Sequence, residues 1–386
     1  MRLRANGWGF IFYWILDSWI RLIPTKFESN GGVVIVKLDQ IGDFILWIEA
    51  AKQLRSHYQG KKIVLIANAV WADLAMTLPY WDEVWPIHPR RFVKDLPYRW
   101  VQLIKIRRAH FDIAIQPTYS RSFMHGDSLI RGSGSRERIG SLGNLDNISK
   151  VAKYVSDLWY TQLVSAQHLP MMELERNTEF VINLTKRGFK PNLECLPKLA
   201  KPRLSVSDTA YFILFPGGSW SGRLWPSNKF AEVAVAINKE YGWTPVLCGS
   251  AQEIEICNHV IKQAAIPCIN MSGQTSLGEL TEVIRNACLL VSNETSAIHI
   301  AVAVGTPSIC VTGGGHFGRF VPYSSRFEGQ KPQIANHFMP CYGCNWRCTK
   351  PHREGEAMPC IQQIPSAQVI GLARTSVEAS DHKQPL

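Results

Sequence analysis

The 386-residue sequence has no low-complexity segment, no short tandem repeat and no apolar run long enough to cross a membrane. The most apolar stretch, residues 8–23, is too short for a spanning helix and is interrupted by Asp17 and Arg21. No small-residue cleavage site follows it, so it fits a secretory signal poorly. Charged residues make up only 19% of the chain and hydrophobic residues 46%. This balance is typical of a folded globular protein, and the length suggests two domains.

Acidic residues are scarcer than basic ones, 31 against 42, and the formal net charge is +11. Such a charge implies an anionic partner: a nucleic acid, phospholipid headgroups or a phosphorylated substrate. Residues 1–26 carry Arg2, Arg4, Arg21 and Lys26 around the apolar stretch, which is typical of an interfacial helix resting on an anionic membrane. The alternative is a hydrophobic helix packed on the first domain.

Strand-like and helix-like segments alternate from Gly31 onward. Continuous apolar strands between helices are typical of a parallel sheet covered on both faces. The pattern predicts strands at 33–38, 62–67, 84–87, 112–116, 211–215, 244–248, 289–292 and 308–312, and helices at 43–56, 100–109, 151–163, 227–241, 251–265, 277–286 and 366–374.

Two interruptions divide this alternation. Residues 119–147 are rich in Gly, Ser and Arg, and residues 191–207 have the Pro, Lys and Ser content of a linker. The sequence therefore predicts an α/β fold with two Rossmann-like, doubly wound domains, residues 27–195 and 196–340, that face each other across a cleft.

Residues 289–307 read as a buried strand, a polar turn and a helix, which is an arrangement that binds diphosphates. Free backbone N–H groups and the helix dipole attract anions, and Thr295, Ser296 and His299 can add donors. Thr295 as an ordinary N-cap is the alternative. Two glycine-containing runs flank the segment, Phe215-Pro216-Gly217-Gly218 and Thr312-Gly313-Gly314-Gly315. Together they predict a nucleotide-sugar site.

Asp43 follows the first predicted strand, at the sheet edge where open α/β folds bind ligands. Gly42 permits close approach of a ligand, and the Asp43 carboxylate could remove a proton from an acceptor hydroxyl as a general base. The alternative is that Asp43 only caps or complements its helix.

Five motifs in order resemble glycosyltransferase family 9, the bacterial heptosyltransferases of lipopolysaccharide synthesis. They are VVIVKLDQIGDFIL, FPGGSWSGRLWPSNKFAEVA, VLCGSAQEIEICNHV, NMSGQTSLGELTEVIRNACLLVSNETSAIHIAVAVGTP and VTGGG. The resemblance covers about residues 31 to 325. It implies the GT-B fold and inverting transfer of a sugar from a nucleotide donor, typically ADP-heptose.

The resemblance also assigns roles to residues. Asp43 matches the catalytic base, Arg223 a basic residue on the donor phosphates, and Glu253 an acidic residue on the nucleoside. Metal is not required for the transfer, and the absence of any Asp-x-Asp sequence agrees with that. The donor-binding residues predicted from the motifs are Gly217, Gly218, Ser219, Arg223, Glu253, Glu294, Thr295, Ser296, His299 and Gly314.

The chain departs from the family pattern at two loops. Glu294-Thr295-Ser296 replaces the usual Asp-Thr-Gly, with a longer acid and a Ser that lacks the freedom of Gly. Gly315-His316-Phe317 replaces the Gly-Pro-Thr loop. A displaced phosphate loop is therefore expected, and the departures bear on selectivity for heptose.

Arginines are dense after the 112–116 strand. Arg121 and Arg131, with Gly42, are predicted to bind a phosphorylated acceptor, because guanidinium groups suit phosphate. A solvated basic face is the alternative.

Four cysteines cluster near the C-terminus, in residues 341–386. Cys341, Cys344, Cys348 and Cys360 could surround zinc or iron with four thiolates, and their surroundings offer little apolar packing. Disulfides or free thiols are the alternatives. The resemblance permits a metal, because an iron-binding four-cysteine finger is known in the adhesin-modifying branch of the family. The other six cysteines, scattered without spacing, fit a reducing cytosol: Cys195, Cys248, Cys257, Cys268, Cys288 and Cys310.

The leading hypothesis is a cytoplasmic glycosyltransferase, peripheral on the inner membrane, that moves heptose or a related sugar to a lipopolysaccharide or surface-glycan acceptor. Its partners would be the nucleotide sugar, the glycan acceptor and the membrane surface, with no nucleic acid, and no cofactor beyond a structural metal. Transfer to a protein adhesin is one alternative. The other is a non-catalytic module with a four-cysteine finger that binds nucleotide sugar, or that binds nucleic acid through the finger and the basic surface.

Overall fold

The computed structural model describes residues 9–24, 31–193, 196–198, 206 and 209–381. The chain forms two compact units. Unit 1 comprises Met1–Leu169 and Leu174–Pro191, and unit 2 comprises Pro170–Glu173 and Asn192–Leu386. Both ends of the predicted interfacial segment 1–26, most of the predicted linker 191–207 and the predicted boundary at residue 195 lie outside the described residues. The cysteine-bearing residues 341–381 belong with unit 2.

Unit 1 is built on a six-stranded parallel sheet. Its strands are β1 (Val33–Lys37), β2 (Ile63–Asn68), β3 (Glu83–Ile87), β4 (Ile113–Gln116), β5 (Glu137–Ser141) and β6 (Gln162–Val164), in the order β3-β2-β1-β4-β5-β6. Its helices are α1 (Gly9–Ser18), α2 (Ile41–Ile45), α3 (Ile48–His57), α4 (Ala72–Ala75), α5 (Pro89–Lys94), α6 (Leu96–Arg108), α7 (Ser128–Ser133), α8 (Lys150–Asp157) and α9 (Glu173–Thr185), with a π-helical turn at Phe123–Asp127.

Unit 2 repeats this arrangement. Its strands are β7 (Tyr211–Phe215), β8 (Thr244–Leu247), β9 (Ile269–Asn270), β10 (Leu290–Asn293), β11 (Ser308–Val311) and β12 (Gln333–Ala335), in the parallel order β12-β11-β10-β7-β8-β9. Its helices are α10 (Ser227–Tyr241), α11 (Ile254–Ala264), α12 (Leu277–Arg285), α13 (Ser296–Val304), α14 (Pro359–Gln362) and α15 (Ser366–Asp381).

The central strands form because their residues are apolar on both faces. All five residues of β1 and of β7 are buried, as helices covering both sides of a parallel sheet require. Counted from its first strand, each sheet has the order 3-2-1-4-5-6. The second and third strands lie on one side of the first strand and the later strands on the other, so the switch points lie between β1 and β4 and between β7 and β10. Ligands bind outside the carboxyl ends of the strands at such points. The two predicted doubly wound sheets are confirmed.

Several predicted elements are wrong in detail. The predicted helix 43–56 is two helices, α2 and α3, separated at Leu46 and Trp47. The predicted helix 151–163 ends at Asp157, and Gln162–Val164 pairs with β5 as an edge strand. Residues 119–147, predicted as an interruption, contain α7 and β5. Strand β5 forms although its sequence is only weakly apolar, because it pairs with β4 on one side and β6 on the other.

Helix α1 packs on unit 1 through a buried ion pair. Arg99 in α6 is fully buried and donates hydrogen bonds to both carboxylate oxygens of Asp17, at 2.8 and 2.5 Å. Phe10 packs against the ring of Phe123 with centroids 5.4 Å apart. The packed-helix alternative is therefore confirmed for this face. None of the helices in the described ranges has the length and apolarity needed to cross a membrane.

Candidate functional site

In unit 1 the loop after β1 is tied to its neighbours. The buried ammonium of Lys37 lies 2.8 Å from Asp39 Oδ2, which also accepts a hydrogen bond from Thr118 Oγ1 at 2.6 Å. The amide of Asn68 donates to the Asp39 carbonyl at 3.1 Å, and the indole of Trp71 donates to the same oxygen at 2.9 Å. Contacts from the ends of three strands thus fix the chain just before Asp43.

Asp43 lies in the first turn of α2 and is half-buried, directly after the half-buried Gly42. The next residue, Phe44, is fully buried and stacks on Trp71 with ring centroids 4.1 Å apart. The helix is therefore anchored while the carboxylate lies at the carboxyl edge of β1. A rigid backbone with a partly accessible carboxylate can provide a general base.

In unit 2 the two glycine positions after β7 are tightly packed. A Cβ on Gly217 would lie 2.1 Å from Glu253 Oε1, so the carboxylate rests against the glycine backbone. Glu253 Oε2 accepts a hydrogen bond from the Ser250 N–H at 2.6 Å, as part of a capping box. A Cβ on Gly218 would lie 2.9 Å from Leu224 and 4.0 Å from the methyl of Thr295. The structure thus brings the predicted Gly217, Gly218, Glu253 and Thr295 to one sheet edge.

The turn after β10 begins helix α13 at the same edge. The Thr295 hydroxyl accepts a hydrogen bond from the Ala297 N–H at 3.3 Å and lies 3.0 Å from Ser292 Oγ. Asn293 links this turn to the glycine loop, because its amide donates to the Pro216 carbonyl at 2.7 Å. Ser296 is the first residue of α13. A helix N-terminus beside a glycine loop can bind an anion.

Arg223 is held at this edge by Glu294. Its Nη2 donates to the Glu294 carbonyl at 2.9 Å and lies 3.1 Å from Glu294 Oε1. The other carboxylate oxygen, Oε2, accepts a hydrogen bond from Thr312 Oγ1 at 2.6 Å. Burial raises the pKa of Glu294, while Arg223 and Thr312 act in the opposite direction. The predicted donor-site residues Arg223 and Glu294 are therefore in direct contact.

His299, Ser219 and Gly314 have different surroundings. The His299 ring is buried, its Nδ1 lies 2.8 Å from the hydroxyl of Tyr323, and burial lowers its pKa to about 4, so the ring is neutral at pH 7. Ser219 is exposed. Gly314 is buried, and a Cβ there would lie 2.1 Å from the ring of Tyr342.

Arg121 and Arg131 both have partners inside unit 1. Arg121 is buried, forms ion pairs with Asp127 at 3.6 Å and with Asp157, and lies over the ring of Tyr160. Arg131 donates to the carbonyl of Trp14 at 3.0 Å and to Ser18 Oγ at 2.7 Å. These contacts give both side chains a structural role, and their binding to an acceptor stays a prediction.

The four C-terminal cysteines lie near one another. Burial raises the pKa of Cys360, the thiols of Cys344, Cys341 and Cys348 add to this effect, and a hydrogen bond from the Gly314 backbone opposes it. Within the described part of the chain, no three His, Cys, Asp or Glu side chains form a group that could hold a metal ion. As placed, these thiols therefore do not surround a common centre.

The expectation that these cysteines have little apolar packing is wrong for Cys360 and Cys348. Cys360 is only 8% exposed and lies in the main core of unit 2 with Ile361 and Ile364, and Cys348 packs against that core. The reason is that α14 and the residues after it complete the apolar face of the sheet.

Sequence reasoning missed two tryptophans at the donor edge. Trp220 and Trp346 pack edge to face with ring centroids 5.8 Å apart, and the Arg223 guanidinium lies 5.1 Å from the centroid of Trp346. Trp220 follows the Gly217-Gly218 pair and precedes Arg223 by three residues, so its place near Arg223 could have been predicted. Trp346 is 123 positions away from Arg223, and no local pattern links the two.

Comparison with known proteins gives concordant matches. The sequence profile described as "Glycosyltransferase family 9 (heptosyltransferase)" matches residues 132–340. The lipopolysaccharide heptosyltransferase 2 of Escherichia coli is 28% identical over 299 residues, covering 73% of this chain and 82% of that protein. The lipooligosaccharide heptosyltransferase 2 of Haemophilus influenzae is 30% identical over 127 residues, which span 31% of this chain and only 36% of that protein.

Solved structures of the same kind share the fold. The E. coli ADP-heptose lps heptosyltransferase II has a TM-score of 0.64 at 18% identity and covers 91% of this chain and 99% of its own. The iron-containing heptosyltransferase TibC has a TM-score of 0.55 at 13% identity, covering 91% and 77%. With its two parallel six-stranded sheets, the chain has the two-domain GT-B fold. Because the family profile matches more than half of the residues, among them the loops around Arg223, Glu253 and Thr295, the chain belongs to glycosyltransferase family 9.

Proposed function

We propose that the protein transfers heptose from ADP-heptose to a lipopolysaccharide core acceptor, with inversion at the sugar carbon. The observation that carries the proposal is the assembly of Gly217, Gly218, Arg223, Glu253 and Thr295 at the carboxyl edge of β7 and β10. Family membership and the names of the relatives, which include an ADP-heptose transferase, support the sugar and the nucleotide.

In this proposal the donor diphosphate lies on the N-terminus of α13. The positive end of the α13 dipole attracts the phosphate oxygens, the N–H and hydroxyl of Ser296 donate to them, and Arg223 supplies the positive charge. Glu253, held against Gly217, accepts hydrogen bonds from the ribose hydroxyls. His299 is neutral and buried beside Tyr323, so its role is to pack α13 rather than to supply charge.

Asp43 is the proposed general base. It removes the proton of the acceptor hydroxyl as that oxygen forms a bond to C1 of the sugar, and the bond from C1 to the diphosphate oxygen breaks on the opposite face. The departing negative charge is stabilised by Arg223 and by the N-terminal end of α13.

Two measurements test the roles separately. Thermal shift with ADP-, GDP-, UDP- and dTDP-sugars identifies the donor, and we expect stabilisation by the ADP-sugar. Asp43→Asn is then expected to lower turnover about 10²- to 10⁴-fold, as loss of a general base does, without loss of the donor-induced shift. Asp73→Asn is the matched control, since Asp73 is an exposed acid in the first turn of α4 after the neighbouring strand. Equal turnover in the two variants would refute the base.

Acceptor binding is proposed for the arginines after β4, with Gly42 leaving room beside Asp43. Arg131 is half-buried and less constrained than Arg121, so Arg131→Gln is the cleaner test. It is expected to raise the KM for the acceptor more than the KM for the donor. Equal effects on both would show that Arg131 serves only to hold α1.

Peripheral membrane binding is proposed for the outer face of α1 and the turn that follows it. Phe12, Trp14, Ile15, Trp19 and Leu22 are 41–73% exposed there although the opposite face is packed. Helix α8 contributes to the same apolar cluster as Phe10 and exposes a second stripe: Val151, Tyr154 and Leu158. Exposed apolar stripes on a basic protein favour an anionic bilayer.

Sedimentation with vesicles containing anionic phospholipid tests this idea. Ile15→Glu with Trp19→Glu is expected to abolish binding, because two charges would enter the apolar layer, while the ion pair that docks α1 stays intact. Phe338→Glu is the control, because Phe338 is a still more exposed aromatic residue in unit 2. Unchanged vesicle binding by the double variant would remove the membrane role.

A structural zinc or iron held by Cys341, Cys344, Cys348 and Cys360 is proposed as well, separate from the transfer reaction. Its support is the spacing of the four cysteines in the sequence, and binding would require the side chains to turn toward a common centre. Metal analysis of anaerobically purified protein is expected to find one ion per chain that Cys344→Ser removes and Cys268→Ser keeps. Protein without any bound ion would end the proposal.

A further inference from the structure

The segment from Cys341 to Cys360, here called the cysteine segment, is bonded to two loops of the donor edge. The Gly343 N–H donates to the Gly314 carbonyl at 2.8 Å, and the Asn345 N–H donates to the Gly315 carbonyl at 3.0 Å. At its other end the Met358 N–H donates to the carbonyl of Gly222, the residue next to Arg223, at 2.9 Å. The cysteine segment therefore packs beside the glycine loops and Arg223, at the sheet edge where the donor is proposed to bind.

Trp346 is the side chain through which the cysteine segment contacts Arg223. Its ring contacts Trp220 and His316 edge to face, each with centroids 5.8 Å apart, and the Arg223 guanidinium carbon lies 5.1 Å from its centroid. A Cβ on Gly315 would lie 2.2 Å from the ring, so the loop accepts Trp346 only because residue 315 is a glycine.

Trp346 is held in this position at an evident cost. Asn345 and Trp346 have φ of 49° and 60°, a left-handed backbone that is rare for a bulky residue. The indole N–H of Trp346 is buried and finds no hydrogen-bond partner within the described ranges. Strained backbone and an unpaired buried donor persist where the surroundings over-determine them, and such features concentrate at functional sites.

We propose that Trp346 is a positioning residue of the donor site, whose ring fixes the Arg223 guanidinium and so couples the cysteine segment to diphosphate binding. The inference rests on the proposed role of Arg223 in that binding. Glu294 fixes the guanidinium through its carboxylate, and Trp346 adds an aromatic face that attracts the same cation. An arginine held by two groups loses less rotational freedom when a phosphate binds.

Isothermal titration calorimetry with ADP tests the proposal without any acceptor. Trp346→Leu is expected to raise the Kd for ADP about 3- to 10-fold, the range that corresponds to one partly desolvated cation–π contact. Trp346→Phe keeps an aromatic face and is expected to recover most of that loss. Trp243→Leu is the matched control, because Trp243 is a half-buried tryptophan of unit 2 that stacks on Tyr241 away from these loops.

A double-mutant cycle separates positioning from general destabilisation. Arg223→Ala alone is expected to raise the Kd about 10- to 100-fold, as removal of a charged hydrogen-bonding group does. In that background Trp346→Leu is expected to change the Kd by less than about twofold, because the two residues act as one unit. Circular dichroism and melting curves check that each variant is folded. If the leucine variant is not folded, Trp346→Phe takes its place in the cycle.

The outcomes distinguish the inference from the function on which it rests. If wild-type protein binds neither ADP nor GDP, UDP or dTDP, or if Arg223→Ala binds ADP as wild type does, the proposed donor site is wrong and the inference falls with it. If Arg223→Ala weakens binding but the effect of Trp346→Leu is absent or fully additive, only the positioning role is overturned. A phenylalanine variant as weak as the leucine variant would also overturn it.

Discussion

Removal of the Asp17 carboxylate is expected to destabilise unit 1 by about 3 kcal/mol, because breaking a buried ion pair costs about 3–5 kcal/mol. Asp17 and Arg99 are 2% and 0% exposed and share two hydrogen bonds, so Asp17→Ala leaves a buried guanidinium without its counter-charge. Arg99 keeps hydrogen bonds to the Met124 carbonyl at 2.8 Å and to Ser128 Oγ at 2.7 Å. These remaining acceptors place the loss near the lower end of the range.

Hydrogen exchange read by mass spectrometry in peptides of α1 and α6 measures this loss locally, which matters because two units need not unfold as one. Asp17→Leu combined with Arg99→Met is expected to recover most of the stability, since a well-packed apolar pair can replace a buried ion pair. Glu83→Ala is the control: its partner Lys62 is exposed, and such pairs contribute at most about 1 kcal/mol. If Asp17→Ala costs no more than Glu83→Ala, α1 is not held by this pair.

Two further predictions concern unit 2. Gly217→Ala places a methyl group against Glu253 Oε1, so it is expected to leave the fold intact and to raise the Kd for ADP about tenfold or more. Gly188→Ala is the control, because the space around Gly188 is open, and it is expected to leave the Kd unchanged. Equal Kd values for the two variants would show that Glu253 does not contact the donor. Because burial lowers the pKa of His299 from 6.5 to about 4, the neutral ring contributes stability above pH 6.5 that is lost as the pH falls toward 4. Urea unfolding at a series of pH values measures this effect. His299→Asn is expected to reduce the loss of unfolding free energy between pH 6.5 and pH 4 by about 3 kcal/mol. An unchanged loss would show that His299 is not buried in its neutral form.

The parts of the fold that the sequence predicts are those whose signal is local. Strand β7 and helix α10 have the predicted bounds, because one is a continuous apolar run and the other an amphipathic repeat that ends at Gly242. The order of elements then fixes which loops lie at the carboxyl edge, so the meeting of Gly217, Gly218 and Thr295 could be anticipated without coordinates.

The remainder depends on contacts between distant residues. Strand β5 contains Glu137, Arg138 and Gly140 and is extended only because β4 and β6 hydrogen-bond to it. The burial of Arg121 could not be predicted either, since its counter-charges Asp127 and Asp157 come from two other helical segments. A basic run is ambiguous in sequence because the same residues serve a solvated face, a ligand site or an internal ion pair.

The departures from the family pattern at Glu294 and Ser296 have a consistent structural reason. Ser296 needs no glycine-like backbone, because it stands in the first turn of α13 with a helical conformation. The longer side chain of Glu294 reaches Arg223 with one oxygen and Thr312 with the other, so it links the basic residue to the end of β11. A carboxylate engaged on both oxygens would repel rather than bind a diphosphate. We therefore infer that Glu294 acts on the proposed donor through Arg223, and that phosphate binding falls to Arg223 and the N-terminal end of α13.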